Sequence, residues 1–129
     1  MEYIEFKTEY KELTGKELTQ SDIAKEIDIF IDKINSLDAV SSFDREIVDE
    51  ILVSIKRSFY GVQISANIKK LSKAVDILTK TASLDTISKE DAGLCNFYAG
   101  VIQKSVDDVK SAKDKMAWKK GANRESWKK

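Results

Sequence analysis

The sequence predicts an all-α fold, an antiparallel bundle of four to five helices. Three observations carry this prediction. Apolar residues recur at steps of 3 and 4 along nearly the whole chain, the spacing that gathers them on one face of a helix. The 129 residues include no proline and only 5 glycines, so little in the chain interrupts a helix. Hydroxyl residues and short polar stretches stand between the apolar stripes, where helix caps belong.

Tyr3, Phe6, Tyr10 and Leu13, spaced 3, 4 and 3 apart, predict a short helix ending near Gly15. A weak alternation over Tyr3–Lys7 leaves a short strand as the alternative there. Ile23, Ile27, Phe30, Ile34 and Leu37 predict a second helix, with Thr19 or Ser21 as its cap. Ser41 and Ser42 offer the cap of a third helix, carried by Val48, Leu52, Ile55, Phe59 and Val62. Ile47 and Ile51 widen that stripe, which suits a central, deeply buried element. Ile64, Ile68, Leu71, Val75, Leu78 and Ala82 form the fourth stripe. The phase shifts at Gly61, which reads as a tight helix–helix corner in preference to a kink in one long helix.

Leu84 to Ile87 reads as a loop, followed by a capping box of Ser88 and Asp91, with Ile87 placed to staple onto Ala92. The last helix is predicted from Lys89 to Lys119 along Cys95, Tyr98, Ile102, Ser105, Val109, Ala112 and Met116. Lys119 and Lys120 before Gly121 resemble a basic last turn and a glycine stop. Residues 1–120 are thus expected to form one domain, and 121–129 a mobile, basic tail.

Composition narrows the function. With 42% hydrophobic and 34% charged residues the chain has enough apolar material to fold. Its single cysteine, Cys95, excludes an intramolecular disulfide and suits a reducing, cytoplasmic setting. Met1–Glu5 shows no basic region leading into an apolar run, so no secretory signal is expected, and no run nears the roughly 18–20 residues of a membrane span. Net charge is zero but unevenly spread: residues 1–50 carry −8, residues 51–129 carry +8, and the last twenty alone carry +6. Such halves complement one another within a bundle or attract complementary partners.

Leu18-Thr19-Gln20-Ser21-Asp22-Ile23-Ala24-Lys25-Glu26-Ile27 resembles the first helix of the helix-turn-helix in phage-repressor-like regulators. Ile23, Ala24 and Ile27 fall where that family packs its helix pair. The resemblance implies DNA reading by residues 18–38. The chain departs from the pattern at Asp28, in place of the turn glycine, and at Phe30 and Ile31, which would face DNA. A net charge of −3 over residues 19–38 opposes phosphate contact, and one unbroken amphipathic helix accounts for every apolar residue.

Four further groups are candidate sites. Asp28 with Asp32, and Glu46 with Glu50 beside Asp49, have the one-turn spacing of helical magnesium ligands, but lie off the apolar stripes and read as a solvated face. Cys95, near Glu90 and Asp91, reads as an inert packing residue. Lys69, Lys70, Lys73 and Lys80 share the outer side of their helix, as a solvated face or an anion-binding strip. Trp118, Lys119, Lys120, Arg124, Trp127, Lys128 and Lys129 combine aromatic area with positive charge. That mixture suits an acidic protein, single-stranded nucleic acid or an anionic membrane, or else Trp118 simply closes the core.

With no histidine, no glycine-rich phosphate loop and no paired cysteines, no catalytic, cofactor or metal site is expected. The remaining expectation is a non-enzymatic protein–protein interaction module, monomer or homodimer: an adaptor, inhibitor, immunity-type or chaperone-like small bacterial protein working through a helical face or its basic tail. The alternative is a nucleic-acid-binding accessory protein using residues 18–38 or the C-terminus.

Overall fold

The computed structural model describes the backbone of residues 2–64 and 66–128, and the side chains of 2–64 and 66–111. Among the described residues five helices follow in order: α1 (Tyr3–Thr14), α2 (Gln20–Asn35), α3 (Ser42–Ser58), α4 (Ile68–Ala82) and α5 (Lys89–Lys128). Tyr3–Lys7 is helical, so the strand alternative falls.

The caps explain most boundaries. Gly15 ends α1 with φ 78°, its N–H donating to the Lys11 carbonyl at 2.8 Å. At the start of α2 the Asp22 carboxylate accepts from both the N–H and the hydroxyl of Thr19, each at 2.9 Å. The Ser41 hydroxyl accepts from the Asp44 N–H at 3.2 Å to open α3, and Ser88 does the same for Asp91 at 3.1 Å to open α5. Asn67, whose role the spacing did not predict, caps α4 by accepting from the Lys70 N–H at 2.8 Å.

Two expectations need correction here. The corner at Gly61 is real, with φ 88°, but it is not tight: α3 stops at Ser58 and α4 begins only at Ile68. Val62 and Ile64 therefore belong to a connector, and Val62 is exposed. The helix-turn-helix does not form, because α2 passes unbroken through Asp28 and buries Phe30 and Ile31 in the core. Its apolar residues gain more by packing on neighbouring helices than a turn at Asp28 would leave them.

Side-chain pairs give the helix directions. Glu5 and Glu9 meet Lys104, Phe6 meets Phe97 and Tyr98, and Leu13 lies against Gly93, so α1 runs opposite to α5. Phe30 stacks on Tyr98 and Lys33 pairs with Asp91, so α2 also runs opposite to α5. Gln20 reaches the Phe59 carbonyl, Lys56 pairs with Asp28 and Arg45 reaches the Asn35 carbonyl, so α2 and α3 are antiparallel. The bundle is mostly antiparallel, as expected, but α1 and α2 run in the same sense. The extended connector Gly15–Thr19 makes this possible by returning along α1, where the Tyr3 hydroxyl donates to the Leu18 carbonyl at 3.2 Å. Five extended residues cover about 17 Å, close to the ~18 Å length of a three-turn helix.

The core centres on Phe6, which has no exposed surface and lies 5.2 Å from Phe59 and 5.1 Å from Phe97 between ring centroids. Among the described residues, α5 contributes more buried side chains than α3. It buries Leu94, Cys95, Tyr98, Ala99, Val101, Ile102, Ser105 and Val106, because α1, α2 and α4 all pack against it. The α5 range continues through Gly121, where the sequence suggested a stop. One glycine costs a helix only about 1 kcal/mol relative to alanine. The side chains beyond Ser111, and with them the 120/121 domain boundary, lie outside the described residues.

Candidate functional site

Phe43 sits in the first turn of α3, just after the Ser41 cap, and is 67% exposed. It continues the Ile47–Ile51 edge of the helix by one more turn but is left uncovered there. Phe43 and the buried Ile47 form the apolar floor of an open groove of about 710 Å³ between α3 and α4.

The α4 side of the groove is basic. Lys69 and Lys73, one turn apart and exposed, form its rim and make no ion pair among the described residues. Lys70 is held differently: its ammonium meets Glu50 of α3 at 2.8 Å, tying the two walls together. Asp76 closes one end as the groove's acid. An exposed aromatic side chain beside unpaired ammonium groups presents both apolar area and charge to a partner.

Lys69, Lys70 and Lys73 are thus brought to one groove, whereas Lys80 is exposed outside it. Phe43 was missed by sequence reasoning because it stands off the main Val48–Leu52–Ile55 stripe. The usable signal was its spacing of 4 and 8 from Ile47 and Ile51.

The acid clusters go to ion pairs and solvent. Lys56 binds Asp28 at 2.8 Å, and Glu46, Asp49 and Glu50 border a separate open cleft of about 420 Å³ facing Arg57. Among the described residues no three such side chains converge to hold a metal ion. Cys95 is fully buried, and burial, with a smaller contribution from Asp91, pushes its thiol up to about 11. Also among the described residues, no helix is long and apolar enough to cross a membrane. The side chains of Trp118, Lys119, Lys120, Arg124, Trp127, Lys128 and Lys129 lie outside the described residues.

Compared with known proteins, the chain matches no family model, no curated protein and no solved structure, so its functional reading rests on these residues alone.

Proposed function

We propose that the protein is a non-enzymatic docking module that holds an acidic, amphipathic segment of a partner protein in the α3–α4 groove. The observation that carries this reading is Phe43, two-thirds exposed on the groove floor beside the unpaired Lys69 and Lys73. An amphipathic helix laid in such a groove buries its apolar face on Phe43 and Ile47 and sets carboxylates against the lysines. Phe43 is the anchor, and the lysines supply orientation and encounter rate. The basic tail, with Trp118 and Trp127, adds a second contact for the same acidic partner. A cytoplasmic partner fits the single thiol.

The test uses fluorescent peptides of one amphipathic helical design, with either glutamate or lysine on the polar face. The full chain binds the acidic peptide and not the basic one, with affinity falling as salt rises. Phe43→Ala weakens binding about tenfold or more, an anchor-sized loss, and Lys69→Glu with Lys73→Glu removes it. None of these exposed changes shifts the melting temperature by more than a degree or two. Truncation after Lys120 reduces affinity further without changing the groove's dependence on Phe43. Equal binding by Phe43→Ala rejects the reading. So does displacement of the peptide by single-stranded oligonucleotides that bind Phe43→Ala as well as wild type, which favours a nucleic-acid ligand.

A further inference from the structure

The docking groove adjoins the acidic cleft, because one ion pair borders both: Lys70 lines the groove, Glu50 lines the cleft, and they meet at 2.8 Å. On α3, Glu50 stands seven residues after Phe43 and seven before Arg57. At 1.5 Å per residue, the groove's aromatic end and the cleft's guanidinium end thus lie about 10 Å to either side of Glu50. Each half also carries an exposed apolar side chain, Phe43 in the groove and Val62, 52% exposed, in the cleft.

The charges of the two halves match in number and oppose in sign. Lys69, Lys73 and Asp76 of the groove have no ion-pair partner among the described residues, and neither do Glu46, Asp49 and Arg57 of the cleft. Two cations and an anion thus stand across the Glu50–Lys70 pair from two anions and a cation. A strip built this way is complementary to its own copy turned by 180° about an axis through that pair, since groove then meets cleft at both ends. A net charge of zero adds no overall repulsion between copies.

We propose that two copies of the chain pair through this strip as a closed two-fold dimer, in which the acidic cleft wall of each fills the docking groove of the other. Lys69 and Lys73 meet the second copy's Glu46 and Asp49, Asp76 meets its Arg57, and its Val62 covers Phe43. The inference rests on the reading that the groove receives acidic, apolar surface, and it makes the chain itself one such occupant. An acidic segment and a second copy therefore compete for one groove, so the apparent affinity for the segment falls as protein concentration rises.

Sedimentation velocity of the full chain at low salt, over a series of concentrations and without peptide, tests the pairing. The mass rises toward that of a dimer and no further, and added salt reverses it. Lys69→Glu with Lys73→Glu makes both halves of the strip acidic, and Glu46→Lys with Asp49→Lys makes both basic. These side chains are exposed or half-exposed, so each double variant keeps the wild-type melting temperature within a degree or two. Each alone stays monomeric, whereas their equimolar mixture restores the dimer, because every groove then faces a cleft of opposite sign. Val62→Ser weakens the dimer about tenfold or more, since each substitution in a two-fold interface acts twice. Glu46→Lys with Asp49→Lys still takes the acidic peptide, with an affinity that no longer depends on protein concentration. A wild-type chain that binds the peptide but stays monomeric at every concentration overturns the dimer and leaves the docking function standing. A dimer that the mixture restores, in a chain that binds no acidic peptide, supports the pairing and rejects the docking function. Mixed variants that remain monomeric overturn the pairing and leave the acidic cleft to another occupant, such as the basic tail. Species larger than a dimer overturn the two-fold closure, since groove and cleft would then join head to tail.

Discussion

Cys95 shows how the surroundings of one residue decide its chemistry. A thiol pushed up to about 11 is almost wholly protonated at pH 8, and the protonated form is not a nucleophile. Full burial adds a steric barrier. Iodoacetamide should modify native Cys95 at least about a hundredfold more slowly than the urea-unfolded chain, whose thiol returns to the ordinary value near 8.5. A native rate within a few-fold of the unfolded one would show that α5 opens readily around this position. The burial was legible in the sequence, since Cys95 stands on the Tyr98–Ile102 stripe. That the Tyr98 hydroxyl is buried with no hydrogen-bond partner among the described residues was not, because periodicity places a ring on a face but says nothing of what meets its far end. Phe43 illustrates the same limit from outside: its spacing continues an apolar edge, but whether that turn is covered depends on the neighbouring elements and not on the spacing.

At the scale of elements, the stripes located all five helices, and the errors lie at their ends. Ile64 keeps the spacing of α4 but precedes it, since the Asn67 cap starts the helix at Ile68. Leu13 keeps the spacing of α1 yet is 45% exposed, at the margin where α1 passes Gly93. Two glycines separate conformational need from mere tolerance. Gly61 turns the chain with φ 88°, so Gly61→Ala should cost about 1–2 kcal/mol although nothing stands within 4 Å of the new methyl. Gly93 lies inside α5, and a methyl there would meet only the Leu13 Cδ1, at 3.3 Å, on a side chain free to move. Gly93→Ala should be neutral or stabilising by up to about 1 kcal/mol, the gain of alanine over glycine in a helix. Urea melts of both variants decide it, and a larger loss at Gly93 than at Gly61 would mean that α1 and α5 pack more tightly than described.

For the whole molecule, the charge asymmetry read from the sequence has a structural counterpart. Lys56–Asp28, Lys70–Glu50, Lys33–Asp91 and Lys104 with Glu5 and Glu9 all join the acidic first half to the basic second, except that Lys33 and Asp91 reverse the signs. Such exposed pairs contribute little each, at most about 1 kcal/mol, so they orient the helices more than they hold them. The shared direction of α1 and α2 was not legible, because a five-residue connector allows either a turn back or an extended return. That topology has a consequence for the order in which the fold is made. The α1 partners on α5 lie up to 99 residues further along the chain. At ribosomal rates of roughly 5–20 residues per second, α1 emerges about 5–20 s before they do. Alone, twelve residues make a marginal helix, so Phe6 and Tyr10 spend that interval uncovered. In pulse-labelled hydrogen exchange during refolding, the α1 amides should gain protection together with those of α5 or later, and not with α2. Earlier protection of α1 would mean that it first docks on α2 and α3 through Phe59. On the order expected here, newborn chains carry an uncovered aromatic helix until the Gly93–Lys104 part of α5 has emerged, the kind of segment that holdase chaperones capture.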